Sequence, residues 1–251
     1  MPEQATRPYD TRIRSYVHQR VRLSDGQESA WRRLWPELGG EVADLLPGPD
    51  RPAEDLRAAF GRGAPLILEI GSGMGETTAL LAEAEPEIDH IAVEVYEPGL
   101  AQLLMRVEQA GLTNQRLLRG DAVELLDRVV APGTLDGLRI FFPDPWPKRR
   151  HHKRRLIQPD FVRLAASRLA PGARLHLATD WPPYAEQMRR VVTAEPGLRP
   201  DDDFPPGPDG WQARPAWRPV TKFEDRAHLE GRPVRDLLYV TTDQPQRTHG
   251  E

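Results

Sequence analysis

The sequence predicts an α/β protein in which a mostly parallel sheet is covered by helices on both faces. Two observations carry this prediction: short apolar runs alternate with amphipathic stretches from residue 65 onwards, and several of these runs end in glycine or an acidic residue. Such alternation indicates parallel strands joined by crossover helices. The 251 residues contain no cysteine, which excludes disulfides, thiolate metal sites and thiol nucleophiles.

The strands are predicted from apolar runs that are too short to be helices. The first run leads directly into glycines, and the last follows a long interval rich in proline. In order, the predicted strands are residues 65–70, 90–95, 115–119, 138–142, 173–178 and 234–241.

The helices are predicted from amphipathic periodicity and from signals at their ends. Pro52 lies in the first turn of the second predicted helix, and Gly111 ends the fourth as a C-terminal cap. In order, the predicted helices are residues 27–35, 52–60, 75–84, 98–111, 122–130, 160–169 and 184–192.

We expect a single domain over residues 23–243, preceded by a mobile basic arm, 1–22, and followed by a mobile tail, 244–251. Many of the 26 prolines fall in residues 196–219, which we expect to form an irregular insertion. No apolar stretch follows the N-terminal charges, and no apolar run approaches ~18 residues. We therefore expect a cytoplasmic protein without a membrane span, as a monomer or a homodimer.

Ligands of such sheets bind beyond the carboxyl ends of the strands, and a glycine-rich segment, residues 71–75, follows the first strand. Glycines allow the backbone to bend sharply and to approach a ligand closely. A dinucleotide-binding loop would have a third glycine at position 76, but Glu76 stands there and would repel a pyrophosphate at the helix N-terminus. The segment therefore favours a ligand with an adenosine, a carboxylate and an ammonium group, and without phosphates.

Acidic residues lie near the carboxyl ends of the next two predicted strands. Glu94 stands where an acid commonly binds ribose hydroxyls. Asp121 could accept a hydrogen bond from an adenine amino group, or it could only cap the helix that follows it.

The fourth strand ends in an unusual segment, Phe141-Phe142-Pro143-Asp144-Pro145-Trp146-Pro147-Lys148. The three prolines fix the backbone and remove hydrogen-bond donors. We therefore expect Asp144 to be a functional carboxylate that is held with little freedom at the edge of the sheet. The alternative is a rigid turn in which Asp144 has no chemical role.

A cationic run follows directly. Residues 148–155 include six fixed cations, with no acid between Asp144 and Asp160, in a chain of net charge −4. The run is expected either to contact phosphates of a polyanion or to be an ordinary solvated surface. Because the run directly follows the proline-rich segment, we favour phosphate contacts from Arg150, His151, His152, Lys153, Arg154 and Arg155. No metal site is predicted, because cysteine and further paired histidines are lacking.

The order of these motifs resembles that of the tRNA (guanine-N7-)-methyltransferase family of bacterial type. The similar segments are residues 141–148, 151–155, 178–181, 184–185, 221–224, Arg226, Gly231 and 236–237, and the resemblance runs from about Arg14 to Tyr239. It implies a Rossmann-like class I methyltransferase fold with a seven-stranded sheet and an antiparallel last strand. The sequence departs from the family pattern at Ala227, which replaces a glycine, and at Arg232 and Pro233, which replace a histidine and its neighbour.

The resemblance also implies the reaction and the roles of individual residues. The reaction is transfer of a methyl group from S-adenosylmethionine, leaving S-adenosylhomocysteine, to N7 of the guanine at position 46 in the variable loop of tRNA. Asp144 would be catalytic, and no metal would take part. The implied cofactor-binding residues are Glu69, Gly71, Gly73, Gly75, Glu94, Asp121 and Asp144. The implied substrate-binding residues are Lys148, Asp180, Thr221, Lys222, Phe223 and Glu224.

Other interpretations of the residues remain open. One is a methyltransferase acting on an exocyclic base amine in RNA, because the Asp-Pro-Trp segment also suits holding an amino group. A non-catalytic RNA-binding module is a second alternative, and a nicotinamide dehydrogenase is a weaker third because position 76 is not glycine. Asp180 could only cap a helix that starts near Pro182, and residues 221–224 could form an ordinary strand.

Overall fold

A computed structural model describes residues 15–16, 21–47 and 56–242. The predicted tail, residues 244–251, and all but four residues of the predicted arm, 1–22, lie outside the described residues. The first residues of the predicted helix 52–60 also lie outside them.

The centre of the fold is one sheet of eight strands in the order β1-β4-β3-β2-β5-β6-β8-β7. The strands are β1 Gly39–Glu41, β2 Leu66–Ile70, β3 Asp89–Glu94, β4 Gln115–Arg119, β5 Leu135–Phe141, β6 Leu169–Thr179, β7 Leu198–Pro200 and β8 Arg235–Thr241. Strands β1 to β6 pair in parallel, whereas β8 is antiparallel to both β6 and β7. The predicted α/β class and the antiparallel last strand are confirmed.

The predicted number of seven strands is wrong. The sheet has short strands at both edges, β1 and β7, each of three residues. Strands this short have no apolar run of their own and form because they pair with the longer neighbours β4 and β8. Strand β7 lies within residues 196–219, and an isolated bridge joins Pro206 to Gln212 in the same segment.

Eight α-helices are present in the described part of the chain. They are α1 Asp25–Leu38, α2 Val42–Leu45, α3 Glu76–Ala84, α4 Glu97–Ala110, α5 Ala122–Arg128, α6 Pro159–Arg168, α7 Pro182–Thr193 and α8 Lys222–Leu229. Leu56–Phe60 and Arg149–Arg154 form 3-10 helices. None of the helices described combines the length and the apolar character that crossing a bilayer requires.

The core lies on the two faces of the central strands. Leu68 of β2 and Leu138 and Ile140 of β5 are fully buried. Burial of each such side chain stabilises the fold by about 1.5–3 kcal/mol relative to an exposed one. Because β2 lies between β3 and β5, the chain changes its direction of strand addition at β2, and a crevice opens there at the carboxyl ends of the strands.

Candidate active site and cofactor pocket

A cavity of about 650 Å³ opens at the carboxyl ends of the central strands. This volume is typical of sites for small organic ligands. Most of its wall is formed by residues 69–77, 93–96, 120–123 and 140–144. Ser15, Tyr16, Thr221 and Lys222 complete it together with Leu156. The topology therefore brings together the glycine segment and the acids that the sequence placed after separate strands.

The glycine segment turns through three left-handed residues. Gly71, Gly73 and Gly75 have φ angles of 82°, 54° and 71°, which strongly favour glycine. A Cβ on Gly71 or Gly73 would meet no atom within 4 Å, so the space beside them is open to a ligand. A Cβ on Gly75 would lie 2.5 Å from Cβ of Leu103 in α4, so this glycine also serves packing.

Glu94, at the end of β3, holds this segment in place. Its carboxylate accepts hydrogen bonds from the backbone N–H groups of Gly73 at 3.0 Å, Val95 at 2.6 Å and Tyr96 at 3.0 Å. Burial raises the pKa of Glu94, while these hydrogen bonds oppose the rise. The side chain lines the cavity where the sequence predicted a ribose-binding acid.

Glu69, in β2, is the most deeply buried acid of the cavity wall, with 7% of its surface exposed. Burial raises its pKa to about 7, the charge of Glu94 acts in the same direction, and Arg139 opposes both. A carboxyl with this pKa is partly protonated near neutral pH. A cationic ligand group in the cavity would favour its ionised form.

Asp121 caps a helix, as one interpretation of its sequence position predicted, and it also lies in the wall of the cavity. Its side chain accepts a hydrogen bond from the N–H of Val123 at 2.9 Å and so caps α5. It also lines the cavity, with Gly120 and Ala122 beside it.

Sequence reasoning did not identify Gly99, whose backbone packs closely against the glycine segment. A Cβ on this residue of α4 would lie 2.1 Å from the carbonyl oxygen of Gly73. Only glycine allows the two backbones to approach so closely. The residue follows Pro98 near the start of α4, where nothing in the local sequence reveals the contact.

The segment after β5, residues 142–147, is held in a strained conformation. Phe142 and Trp146 are non-glycine residues with φ angles of 51° and 43°, a conformation that costs about 1–3 kcal/mol for each residue. Phe142 donates its N–H to the carbonyl of Ala178 at 2.8 Å. The indole N–H of Trp146 donates to the carbonyl of Ser15 at 3.1 Å. We call residues 142–147 the reaction loop.

Asp144 lies between the two strained residues and lines the cavity. Desolvation by the surrounding protein raises the pKa of its carboxyl, although the side chain stays accessible to solvent at the mouth of the cavity. Glu94 is close enough for the Asp144 charge to raise its pKa. Within the described part of the chain, no hydrogen bond or ion pair engages the Asp144 carboxylate.

The cationic run forms a 3-10 helix directly after the reaction loop, and its members differ in exposure. Lys148, Arg149, Arg150 and Lys153 are exposed, whereas His151, His152 and Arg154 are partly buried. The guanidinium of Arg154 lies 4.9 Å from the centre of the Trp146 ring. Desolvation, together with the charges of Arg150, Arg154 and Lys148, lowers the pKa of His151, which favours the neutral ring.

Arg155 is a correction to the predicted RNA contacts, because only 3% of its surface is exposed. Its guanidinium donates to the carbonyl of Pro145 at 2.8 Å and to Gln187 at 2.7 Å, and it lies 4.8 Å from the Tyr184 ring. Arg155 therefore anchors the reaction loop through its hydrogen bond to the carbonyl of Pro145. A charge pattern along the sequence does not show which member of the run turns inward.

The predicted substrate-binding residues are only partly brought together. Thr221 and Lys222 line the cavity at the start of α8, whereas Asp180 and Lys148 are not part of its wall. Asp180 instead accepts two hydrogen bonds on Oδ2 from Arg232, at 2.7 and 3.2 Å. Phe223 lies in α8. The alternative of a strand at 221–224 is wrong, because Thr221 caps a helix by accepting from the N–H of Glu224.

Glu224 is a second correction, because it is 2% exposed and its carboxylate is bound by a buried arginine. Arg218 donates to both oxygens of Glu224, at 2.7 and 3.3 Å. In this arrangement Glu224 does not face the cavity. Sequence reasoning missed Arg218, which lies in the segment expected to be irregular.

No group of three potential metal ligands occurs among the residues that the structure describes. The sheet is parallel except for its antiparallel last strand, and it places the glycine segment, the acid that ends β3 and the carboxylate that follows β5 at one edge. Together these features define a Rossmann-like methyltransferase. A family model described as "Putative methyltransferase" matches residues 63–237 of the chain.

Comparison with curated proteins narrows this class. The chain is 48% identical over 241 residues to a tRNA (guanine-N(7)-)-methyltransferase of Streptomyces avermitilis, covering 96% of this chain and 79% of the relative. It is 52% identical over 233 residues to one of Mycobacterium sp. (strain KMS), covering 91% and 80%. The chain therefore belongs to the tRNA (guanine-N(7)-)-methyltransferase family.

Solved structures confirm the fold. The 16S rRNA methyltransferase KamB matches with a TM-score of 0.53 and 17% identity, over 78% of this chain and 99% of that one. A 16S rRNA (adenine(1408)-N(1))-methyltransferase from Catenulisporales acidiphilia matches with a TM-score of 0.51 and 16% identity, over 78% and 96%.

Proposed function

We propose that the protein transfers a methyl group from S-adenosylmethionine to N7 of the guanine at position 46 in the variable loop of tRNA. The carrying observation is the Asp144 carboxylate, which a strained and proline-rich loop presents at the mouth of the cavity without a partner among the described residues. The names of the relatives support the same substrate and the same acceptor atom.

The cavity fits S-adenosylmethionine better than it fits a dinucleotide. Ser72 Oγ is buried and without a hydrogen-bond partner in the described part of the chain, which provides a polar contact for a ligand. The open space beside Gly71 and Gly73 allows the ligand to lie against the backbone. Glu76 begins α3 and opposes a pyrophosphate there. Glu69, Glu94 and Asp121 would hold the amino and hydroxyl groups of the cofactor.

The proposed chemistry requires no general base. S-adenosylmethionine supplies an electrophilic methyl group on a sulfonium. The lone pair of guanine N7 forms the new N–C bond as the S–C bond breaks, and the released electron pair remains on sulfur as S-adenosylhomocysteine. Because N7 carries no proton, none has to be removed, and positive charge develops on the purine.

Asp144 stabilises that developing charge. A fixed carboxylate that faces a growing positive charge lowers the barrier without having to reorganise. The strained backbone at Phe142 and Trp146 and the support from Arg155 restrict its motion. Alignment of acceptor and methyl group at ~3–3.5 Å contributes the remaining rate acceleration.

The exposed cations of the 3-10 helix would hold the tRNA backbone next to this loop. Lys148, Arg149, Arg150 and Lys153 present their charges on the surface directly after Asp144. Such phosphate contacts position an RNA without reading its sequence. The folded tRNA would then present its variable loop to the cavity.

The proposal is tested by treating an unmodified tRNA transcript with the protein and methyl donor and identifying the nucleosides by mass spectrometry. We expect 7-methylguanosine, and cleavage at the modified base with borohydride and aniline should map it to position 46. A matched transcript with adenine at position 46 should not be methylated. N6-methyladenosine as the product would instead favour an enzyme that acts on exocyclic amines. Methylation elsewhere in the tRNA would refute the proposed position.

A further inference from the structure

Arg218 is fully buried and joins two carboxylates from different elements. Toward β8, Nε and Nη2 donate to Asp236 at 2.7 and 2.9 Å. Toward α8, Nη1 and Nη2 donate to Glu224 at 2.7 and 3.3 Å. Each carboxylate therefore receives two hydrogen bonds, an arrangement that the planar guanidinium can make and an ammonium cannot.

The same group of residues extends to β6 and to the reaction loop. Nε2 of His176 in β6 lies 2.7 Å from Asp236, and burial lowers the pKa of His176 to about 4, so its ring is neutral at pH 7. Although burial acts in the opposite direction, the contacts with His176 and Arg218 hold the pKa of Asp236 below its usual value. The guanidinium carbon of Arg218 lies 5.8 Å from the centre of the Phe142 ring.

Through these contacts, one side chain is connected both to α8 and to the reaction loop, which form two parts of the cavity wall. Glu224 is in the first turn of α8, and the N-cap residue Thr221 and the first helical residue Lys222 belong to the cavity wall. Phe142 is the strained residue two positions before Asp144. A buried charged cluster is often no more stable than an apolar one of the same shape, so stability alone explains this arrangement poorly. Its distinctive property is that it fixes the geometry of the elements it joins.

We propose that Arg218 is a positioning residue for methyl transfer, because its guanidinium fixes the start of α8 relative to the reaction loop. This inference rests on the proposed function. It adds the residue that fixes the position of the substrate side of the cavity, formed by Thr221 and Lys222, relative to Asp144. Arg218 acts through Glu224 and Phe142, whereas the cofactor side is built on separate contacts, such as that between Gly73 and Glu94.

The test is Arg218→Lys, which keeps the charge and loses the paired hydrogen bonds. We expect kcat/KM for tRNA to fall about 10–100-fold, since displacement of a reacting group by about 1 Å has effects of this size. The Kd for S-adenosylmethionine should stay within about twofold of wild type. Amide hydrogen exchange should accelerate in residues 221–229 and remain unchanged in β2 and β3.

Arg174→Lys is the matched control, because Arg174 ties the same proline-rich segment to the sheet through Asp201 at 2.5 Å. The inference would be overturned if the two variants had equal kcat/KM for tRNA. It would also be overturned if Arg218→Lys weakened S-adenosylmethionine binding as much as it reduced tRNA turnover. If Arg218→Lys does not fold, Asp236→Asn should show the same selective loss on the tRNA side. Wild-type protein that makes no 7-methylguanosine would refute the proposed function, and hydrogen exchange would still decide whether Arg218 holds α8.

Discussion

Replacing Glu69 by glutamine should reduce the dependence of the stability of the free protein on pH. The pKa of this buried carboxyl rises from 4.5 to about 7 on folding, so the folded state binds its proton more tightly than the unfolded state. For an acid with a raised pKa, stability is highest below 4.5 and falls as the pH rises to about 7, because the ionised form is disfavoured in the fold.

The magnitude follows from the size of the shift. One pKa unit corresponds to about 1.4 kcal/mol, and most of the shift is expressed between pH 5 and pH 8, so the wild-type protein should lose about 2.5 kcal/mol from this residue over that range. For a chain of this length, that corresponds to roughly 5–10 °C in Tm. Glutamine is nearly isosteric and does not titrate in this range, so the loss should be absent in the variant.

The assay is thermal unfolding of the ligand-free protein at pH 5 and pH 8, with Glu83→Gln as the control because Glu83 is exposed on α3. The difference between the two pH values should shrink in Glu69→Gln and stay at the wild-type value in Glu83→Gln. If Glu69→Gln and wild type lose the same Tm between pH 5 and pH 8, the account of Glu69 as a carboxyl with a raised pKa is refuted.

Two further predictions concern the RNA surface and the cofactor pocket. The double variant Arg150→Ala/Lys153→Ala should reduce the slope of log Kd for tRNA against log salt concentration by roughly 1.4–1.8, because two exposed cations are lost. Arg155→Ala should leave this slope unchanged and lower Tm, because Arg155 is buried. A salt titration by filter binding checks this, and an equal change of slope in Arg155→Ala and in the double variant would contradict the assignment. Gly99→Ala should weaken S-adenosylmethionine binding about tenfold or more, because its Cβ would displace Gly73; calorimetry that finds wild-type affinity would exclude this contact.

The sequence predicted the central part of the fold because its signals are local. Strands β2 to β6 and β8 follow from short apolar runs, and α3 to α7 from amphipathic stretches between them. The edge strands β1 and β7 could not be predicted, since their pairing depends on β4 and β8. Helix α8 was missed because only three of the eight residues in its sequence, KFEDRAHL, are apolar, and because its first turn is fixed by Thr221 and by Arg218, whose contacts the sequence does not reveal.

The candidate site was predictable to a similar extent. The glycine segment, Glu94, Asp121 and Asp144 all lie at or just after the ends of strands in the sequence, and the carboxyl ends of parallel strands meet at one edge. Contacts across long distances in sequence were not predictable. One such contact is the close approach of Gly99 to Gly73. The burial of Arg155 and Glu224 was also not predictable, because charged residues are expected to be exposed.

The most direct test of the central claim is the single-turnover rate of methyl transfer by Asp144→Asn, with tRNA and S-adenosylmethionine both saturating. Asparagine keeps the shape of the side chain and removes the charge that is proposed to stabilise the methylated purine. We predict a decrease of about 10²–10³-fold in this rate, with the Kd for tRNA within about twofold of wild type. A rate within a few-fold of wild type would contradict the proposal that the carboxylate at the mouth of the cavity drives the reaction.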